Sequence, residues 1–163
     1  MIKRASYLLV PTILLYLAPI ASGLEVCIDD KVALAGPARA EFHREFEFLL
    51  TRDRVRLKWG RCRSEVLTLS IERRRDGMPP SVLGAALSRG DVILPKLAVF
   101  ADPVMSYTQA AGWNVVGRAL ARVAAHEVRH FLDQTDGHRP HGLMQAAFHP
   151  TELRVPDVRP FLR

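Results

Sequence analysis

The chain has 163 residues, 48% hydrophobic and 25% charged, with 23 Lys and Arg against 17 Asp and Glu. That is the length and composition of one folded domain, which excludes wholesale disorder, collagen and coiled coil. Two cysteines are too few for a disulfide-dense scaffold or a zinc module of four thiolates, and a net charge of +6 scattered along the chain gives no nucleic-acid patch.

Residues 1–23 read as a secretory signal peptide. Lys3 and Arg4 open it, an apolar run covers 7–21, and Ala21, Ser22 and Gly23 supply the small residues a signal peptidase needs. Pro11 and Pro19 argue against an uncleaved membrane-spanning helix. The expected product is a single domain, 24–163, secreted or periplasmic, with no stable membrane association. In that oxidising setting Cys27 and Cys62 are expected to pair, for a stabilisation of about 3–4 kcal/mol by loop closure.

In chain order, 24–28 is a short strand. Pro37 suits the first turn of a helix over 37–52, where Phe42, Phe46, Leu49 and Leu50 recur at helical spacing. Val55, Leu57 and Trp59 alternate with Arg54, Arg56 and Lys58, predicting a half-buried strand that ends near Gly60. Leu67, Leu69 and Ile71 alternate with Thr68, Ser70 and Glu72, predicting another. The basic run Arg73-Arg74-Arg75 reads as a solvated turn leading into a loop over 76–80, and 82–87 as a strand. The apolar segment 92–100 contains Pro95, which assigns it to the sheet edge, where an extended peptide could add as a further strand.

Tyr107 falls on a loop in this reading. From 114 a long helix begins with Asn114 as N-cap; Val116, Leu120, Val123, Ala124, Glu127 and Phe131 share one broad stripe. Gly137 is expected to close it in the left-handed conformation. The tail, interrupted by Pro150 and Pro156, has no assignment. Trp59 and Trp113 are expected in the core, His43 on an exposed helical face and His149 in a loop. The order of elements predicts an α+β fold with a mixed or mostly antiparallel sheet.

His126-Glu127-Val128-Arg129-His130 carries the chemistry. Histidines at i and i+4 lie on one helical face, close enough for both imidazoles to reach one metal ion, and Glu127 is placed to act as general base. In a shuffled chain of this composition the pattern arises about once in a hundred. Imidazole ligands, a secreted setting and no need for redox chemistry favour Zn2+. Two protein ligands hold zinc poorly. His138, just past the expected Gly137 turn, is the first choice for the third, followed by Asp136, His141 and Glu152. Gly142-Leu143-Met144 then offers a methionine turn as an apolar floor under the rings.

From His126 to Leu132, with His138 and Gly142-Leu143-Met144 following, the chain resembles the zincin metallopeptidases. It is most similar to the metzincin and matrixin-like branch, and within that to compact secreted bacterial zincin-like proteins. The resemblance implies a zincin-like fold, a small twisted mixed sheet with an N-terminal helix and a long active-site helix. It implies His126, His130 and His138 as zinc ligands, Glu127 as general base, Met144 as the turn methionine, and a peptide or protein substrate. The sequence departs from that pattern at three positions. Arg129 stands where related sequences often have glycine. Asp133 and Asp136 stand where the family carries glycine and its third ligand. Two functions follow as expectations, a secreted zinc-dependent metallopeptidase and a catalytically inactive zincin-like metal-binding or scaffold module. Tyr107 is a candidate second oxyanion donor in the first, weighed against a packing role.

Overall fold

The computed structural model describes residues 23–63, 66–109 and 112–162. The expected signal peptide falls outside them except for Gly23. In chain order the elements are β1 (Glu25–Asp30), α1 (Gly36–Leu49), β2 (Arg56–Trp59), β3 (Leu67–Glu72), β4 (Gly84–Arg89), β5 (Val92–Phe100), α2 (Ala101–Thr108), α3 (Trp113–Asp133) and α4 (Pro150–Arg154), with 3-10 turns at Thr51–Asp53 and Arg159–Phe161.

The strands form one mixed sheet in the order β2-β1-β3-β5-β4. β1 runs parallel to β2 and β3, β3 parallel to β5, and β4 antiparallel to β5. Alternation divides the sheet into two faces. Val26, Ile28, Leu67, Leu69, Ile71, Leu97 and Val99 are buried in one core with Phe42, Phe46 and Leu50 from α1 and its end, and with Val116, Leu120 and Val123 from α3. Phe42 stacks on Phe46, and Trp59 meets Phe42 edge-on at 5.5 Å between ring centroids. Cys27 and Cys62 form the expected disulfide. It fits a protein outside the cytoplasm. No helix among the described residues is long and apolar enough to cross a membrane.

α1 and α3 touch backbone to backbone. Gly117 packs so close to Ala38 that a Cβ there would overlap the Ala38 carbonyl. C-terminal to this contact on both helices lie two ion pairs, Arg118–Glu41 at 2.7 Å and Arg122–Glu45 at 2.6 Å. Arg122 is wholly buried. It also donates to the Glu152 and Asp157 carbonyls, and its guanidinium lies 4.6 Å from the Phe161 ring centroid. Arg118 donates to the Arg154 carbonyl at 2.7 Å. Two arginines one turn apart on α3 thus tie α1 and the C-terminal tail to the same helix.

Five expectations need correction. β5 is not the edge strand, since β3 and β4 flank it. Pro95 is accommodated because pairing with β3 starts at Lys96, and the register with β4 shifts between Ala86 and Ser88. A residue without an N–H costs nothing where no ladder bond is made. The edge on that side is β4. α3 starts at Trp113 after Gly112 (φ 155°), and Asn114 does not cap it.

α3 ends at Asp133, with Gln134, not Gly137, in the left-handed region at φ 47°. The Gln134 side chain pairs with the Ile93 backbone in both directions, each bond 3.2 Å, which holds a non-glycine residue where glycine is the usual choice. Residues 101–108 are helix and not loop; Pro103 fits because the first turn has N–H groups to spare. Finally, Trp113 is 50% exposed and not a core residue.

Candidate metal centre

His126 and His130 are one turn apart on α3, and their Nε2 atoms stand 2.9 Å from each other. The chain then leaves α3 through the left-handed Gln134 and doubles back. Thr135 N donates to the His130 carbonyl at 3.2 Å, Gly137 N donates to Thr135 Oγ1 at 3.0 Å, and Arg139 N donates to the Met144 carbonyl at 2.7 Å. This fold-back delivers His138, whose ring centroid lies 5.3 Å from that of His126 and 5.0 Å from that of His130. One nitrogen from each of the three rings lies within 4.8 Å of the others. His126 and His130 are buried and His138 is exposed, so the cluster has a solvent side.

Backbone carbonyls settle the tautomers. His126 Nδ1 lies 2.7 Å from the Leu143 carbonyl and His130 Nδ1 lies 2.6 Å from the Thr135 carbonyl. A carbonyl only accepts, so each Nδ1 carries a proton and donates, and in the neutral ring this leaves Nε2 with a bare lone pair. Burial, only partly offset by the Leu143 bond, pushes the His126 pKa down to about 4, with small further lowering from His130 and His138. The ring is therefore neutral at physiological pH. Two acceptor lone pairs facing each other at 2.9 Å repel, and a cation between them relieves that. The three imidazoles could hold a metal ion, with the exposed His138 on the solvent side.

Glu127 is buried beside the histidines and makes no hydrogen bond or ion pair among the described residues. Burial alone pushes its pKa up to about 8. Space for its carboxylate comes from Gly84 on β4: a Cβ there would sit 2.6 Å from Glu127 Oε1 and 2.9 Å from Val123 Cγ1. Both residues open on a cavity of about 440 Å³ that also meets His126, His130, His138 and Phe148.

The other expected residues are disposed as follows. Asp136 lines the cavity but does not belong to the three-nitrogen cluster, and exposed His141 lies outside both. Glu152 is engaged in the cap of α4, accepting from His149 N at 2.7 Å and from Gln145 Nε2 at 2.8 Å. Arg129 turns to Asp53 at 2.7 Å and Asp133 at 3.0 Å, where its length disturbs nothing in the cavity. Met144 is buried, while the side chain packed edge-on against His126 is Phe148, at 5.5 Å. Tyr107 lines the cavity from α2 and donates its hydroxyl to the Phe148 carbonyl at 2.8 Å.

Compared with protein-family profiles, curated proteins and solved structures, the chain matches none. The reading of this site rests on its own geometry.

Sequence reasoning missed Gly84, Phe148 and the two orienting carbonyls. A carbonyl belongs to every residue and leaves no mark in a sequence. Gly84 interrupts an otherwise ordinary strand, and a glycine there is the one signal that another group comes close.

Proposed function

We propose that the protein is a secreted zinc-dependent metallopeptidase of zincin type, with His126, His130 and His138 as ligands of Zn2+ and Glu127 as general base. The observation that carries this is the pair of facing His126 and His130 Nε2 lone pairs, with His138 and the unpartnered Glu127 carboxylate opening on the same cavity. The donor set suits zinc, a d¹⁰ ion readily held by neutral imidazoles.

Leu143 and Thr135 act through their carbonyls, fixing each ring so that Nε2 points inward. Bound there, zinc supplies Lewis acidity toward water and a carbonyl oxygen. Beside the positive charge of a bound zinc, the Glu127 pKa would fall from its metal-free value of about 8, and the ionised carboxylate would accept the proton of the attacking water at one oxygen and deliver it to the leaving amine nitrogen. It has no competing donor among the described residues, and Gly84 leaves that oxygen unobstructed. The apolar walls given by Val123, Ala86 and Phe148 limit access of bulk water.

The scaffold reading keeps the same metal site without turnover. In its favour, the Tyr107 hydroxyl is spent on the Phe148 carbonyl, so no free second oxyanion donor is identified. Metal analysis of the secreted chain, together with cleavage of a peptide library, separates the readings. The expected result is one zinc per chain, lost in His138→Ala. Glu127→Gln keeps the zinc and loses about 10²–10⁴-fold in hydrolysis. A wild-type chain that stays metal-free in excess zinc overturns the metal site. A zinc-loaded chain that cleaves nothing establishes the scaffold instead.

A further inference from the structure

The helices cover one face of the sheet, and a hollow of about 690 Å³ lies on the other. Its floor carries the small outward-facing residues Thr68 and Ser70 on β3, Ala85 on β4 and Ala98 on β5. These alternate with Leu69, Ile71, Ala86 and Leu97, the residues turned toward the helices. The larger Met78, Leu87 and Phe100 also line the hollow. Five cationic side chains line the rim: Lys31 after β1, Arg61 and Arg63 between β2 and β3, Arg75 after β3, and Lys96 on β5.

Among the described residues, two carboxylates oppose them. Glu72 is engaged by Lys31 at 2.7 Å and by Arg75 at 2.9 Å, and Asp29 lies 3.8 Å from Lys31. Arg61, Arg63 and Lys96 form no ion pair among the described residues. The cations come from four separate segments and still surround one hollow. The loop that carries Arg61 and Arg63 is anchored to β1 by the Cys27–Cys62 disulfide. This is more than a charged stretch fanned into solvent: the sheet and the disulfide fix several positive groups around one hollow.

We propose that this hollow binds a compact polyanion, a small molecule bearing two or more phosphate or sulfate groups. Guanidinium forks match such oxyanions, and the Ser70 hydroxyl on the floor is a further donor. The volume is that of a small-molecule site, which lies at about 300–1,000 Å³. Cations from four segments grouped around one half-open hollow fit a compact ligand better than an extended acidic peptide, which would need a stripe. The site lies on the sheet face away from α3 and is independent of the metal centre.

The test is calorimetric titration of the full secreted chain with sucrose octasulfate, whose sulfates chelate zinc poorly, at about 0.15 M salt. The expected result is one saturable site per chain. Exchanging both loop arginines (Arg61→Ser with Arg63→Ser) weakens it by about tenfold or more, and Lys96→Gln weakens it severalfold. Arg159→Gln, a remote exposed cation, leaves it unchanged. Amide resonances of Thr68 and Ser70 shift on titration. The proposal is overturned by absence of saturable binding, by equal weakening in Arg159→Gln, by shifts confined to other surfaces, or by a hexaglutamate peptide binding as tightly.

Discussion

His126 Nε2 and His130 Nε2 face each other at 2.9 Å, and the hydrogen bond each Nδ1 makes to a carbonyl selects the neutral tautomer whose Nε2 lone pair faces the other ring. Without a cation this arrangement costs the fold energy, and with one it stabilises it. Zinc is therefore expected to raise the melting temperature and a chelator to lower it. Binding at a thousandfold excess over Kd corresponds to about 4 kcal/mol. The increment should vanish in His126→Ala. Calorimetric melting that is indifferent to zinc in the wild-type chain would show that the three rings converge for another reason.

Gly84 and Glu127 make a second linked pair. The missing Cβ on β4 is the room that the carboxylate occupies. Gly84→Ala should push the Glu127 side chain aside while leaving the three histidines untouched. Zinc content is expected to stay at one per chain while kcat/KM falls by about 10²-fold, the order of loss for a misplacement near 1 Å. Retention of full hydrolysis in Gly84→Ala would remove Glu127 from the reaction as described.

The alternation of Leu67, Leu69 and Ile71, the spacing of Phe42 and Phe46, and the His126–His130 register were all legible, because each is a periodic pattern that burial imposes on side chains. In the structure that register joins His138 in a cluster that could hold a metal ion. His138 was chosen for a turn at Gly137 that does not form; the reversal is made at Gln134, held by its amide pairing with Ile93 forty-one residues away. Such a bond depends on tertiary neighbours and has no local signal. Pro95 misled for a related reason: a proline marks a missing ladder bond, and an interior bulge satisfies that as well as an edge. The short helix α2 and the capped α4 lack a long apolar period. The first begins around Pro103, and the second is defined by the reciprocal His149–Glu152 cap.

Gly117 should reverse the usual helix rule. In an exposed helix interior, glycine to alanine stabilises by about 1 kcal/mol. Here the added methyl meets the Ala38 backbone, which cannot rotate away. Gly117→Ala is expected to destabilise by about 1–3 kcal/mol, the usual range for overpacking, as read from the urea midpoint. A stabilised variant would mean that α1 and α3 sit farther apart than described.

Acid should loosen the same helix pair through Glu41. Its burial raises the carboxyl pKa, but bonds from Arg44 and Arg118 outweigh that and hold the pKa below the ordinary glutamate value. A depressed folded-state pKa means the stabilisation is complete above the unfolded-state value and disappears as pH falls through the folded one. Glu72, held low in the same way against its burial by Lys31 and Arg75, adds in the same direction. Stability is therefore expected to decline as pH drops below the ordinary glutamate range. Glu41→Gln should be less stable than wild type near neutrality and should lose less on acidification. Urea midpoints measured at about pH 7 and about pH 4 compare the two slopes, because the difference between them reports the protons taken up on unfolding. Parallel declines in both proteins would assign the acid sensitivity to other groups, the buried His126 with its pKa of about 4 among them, and leave the Glu41–Arg118 contact without a share in it.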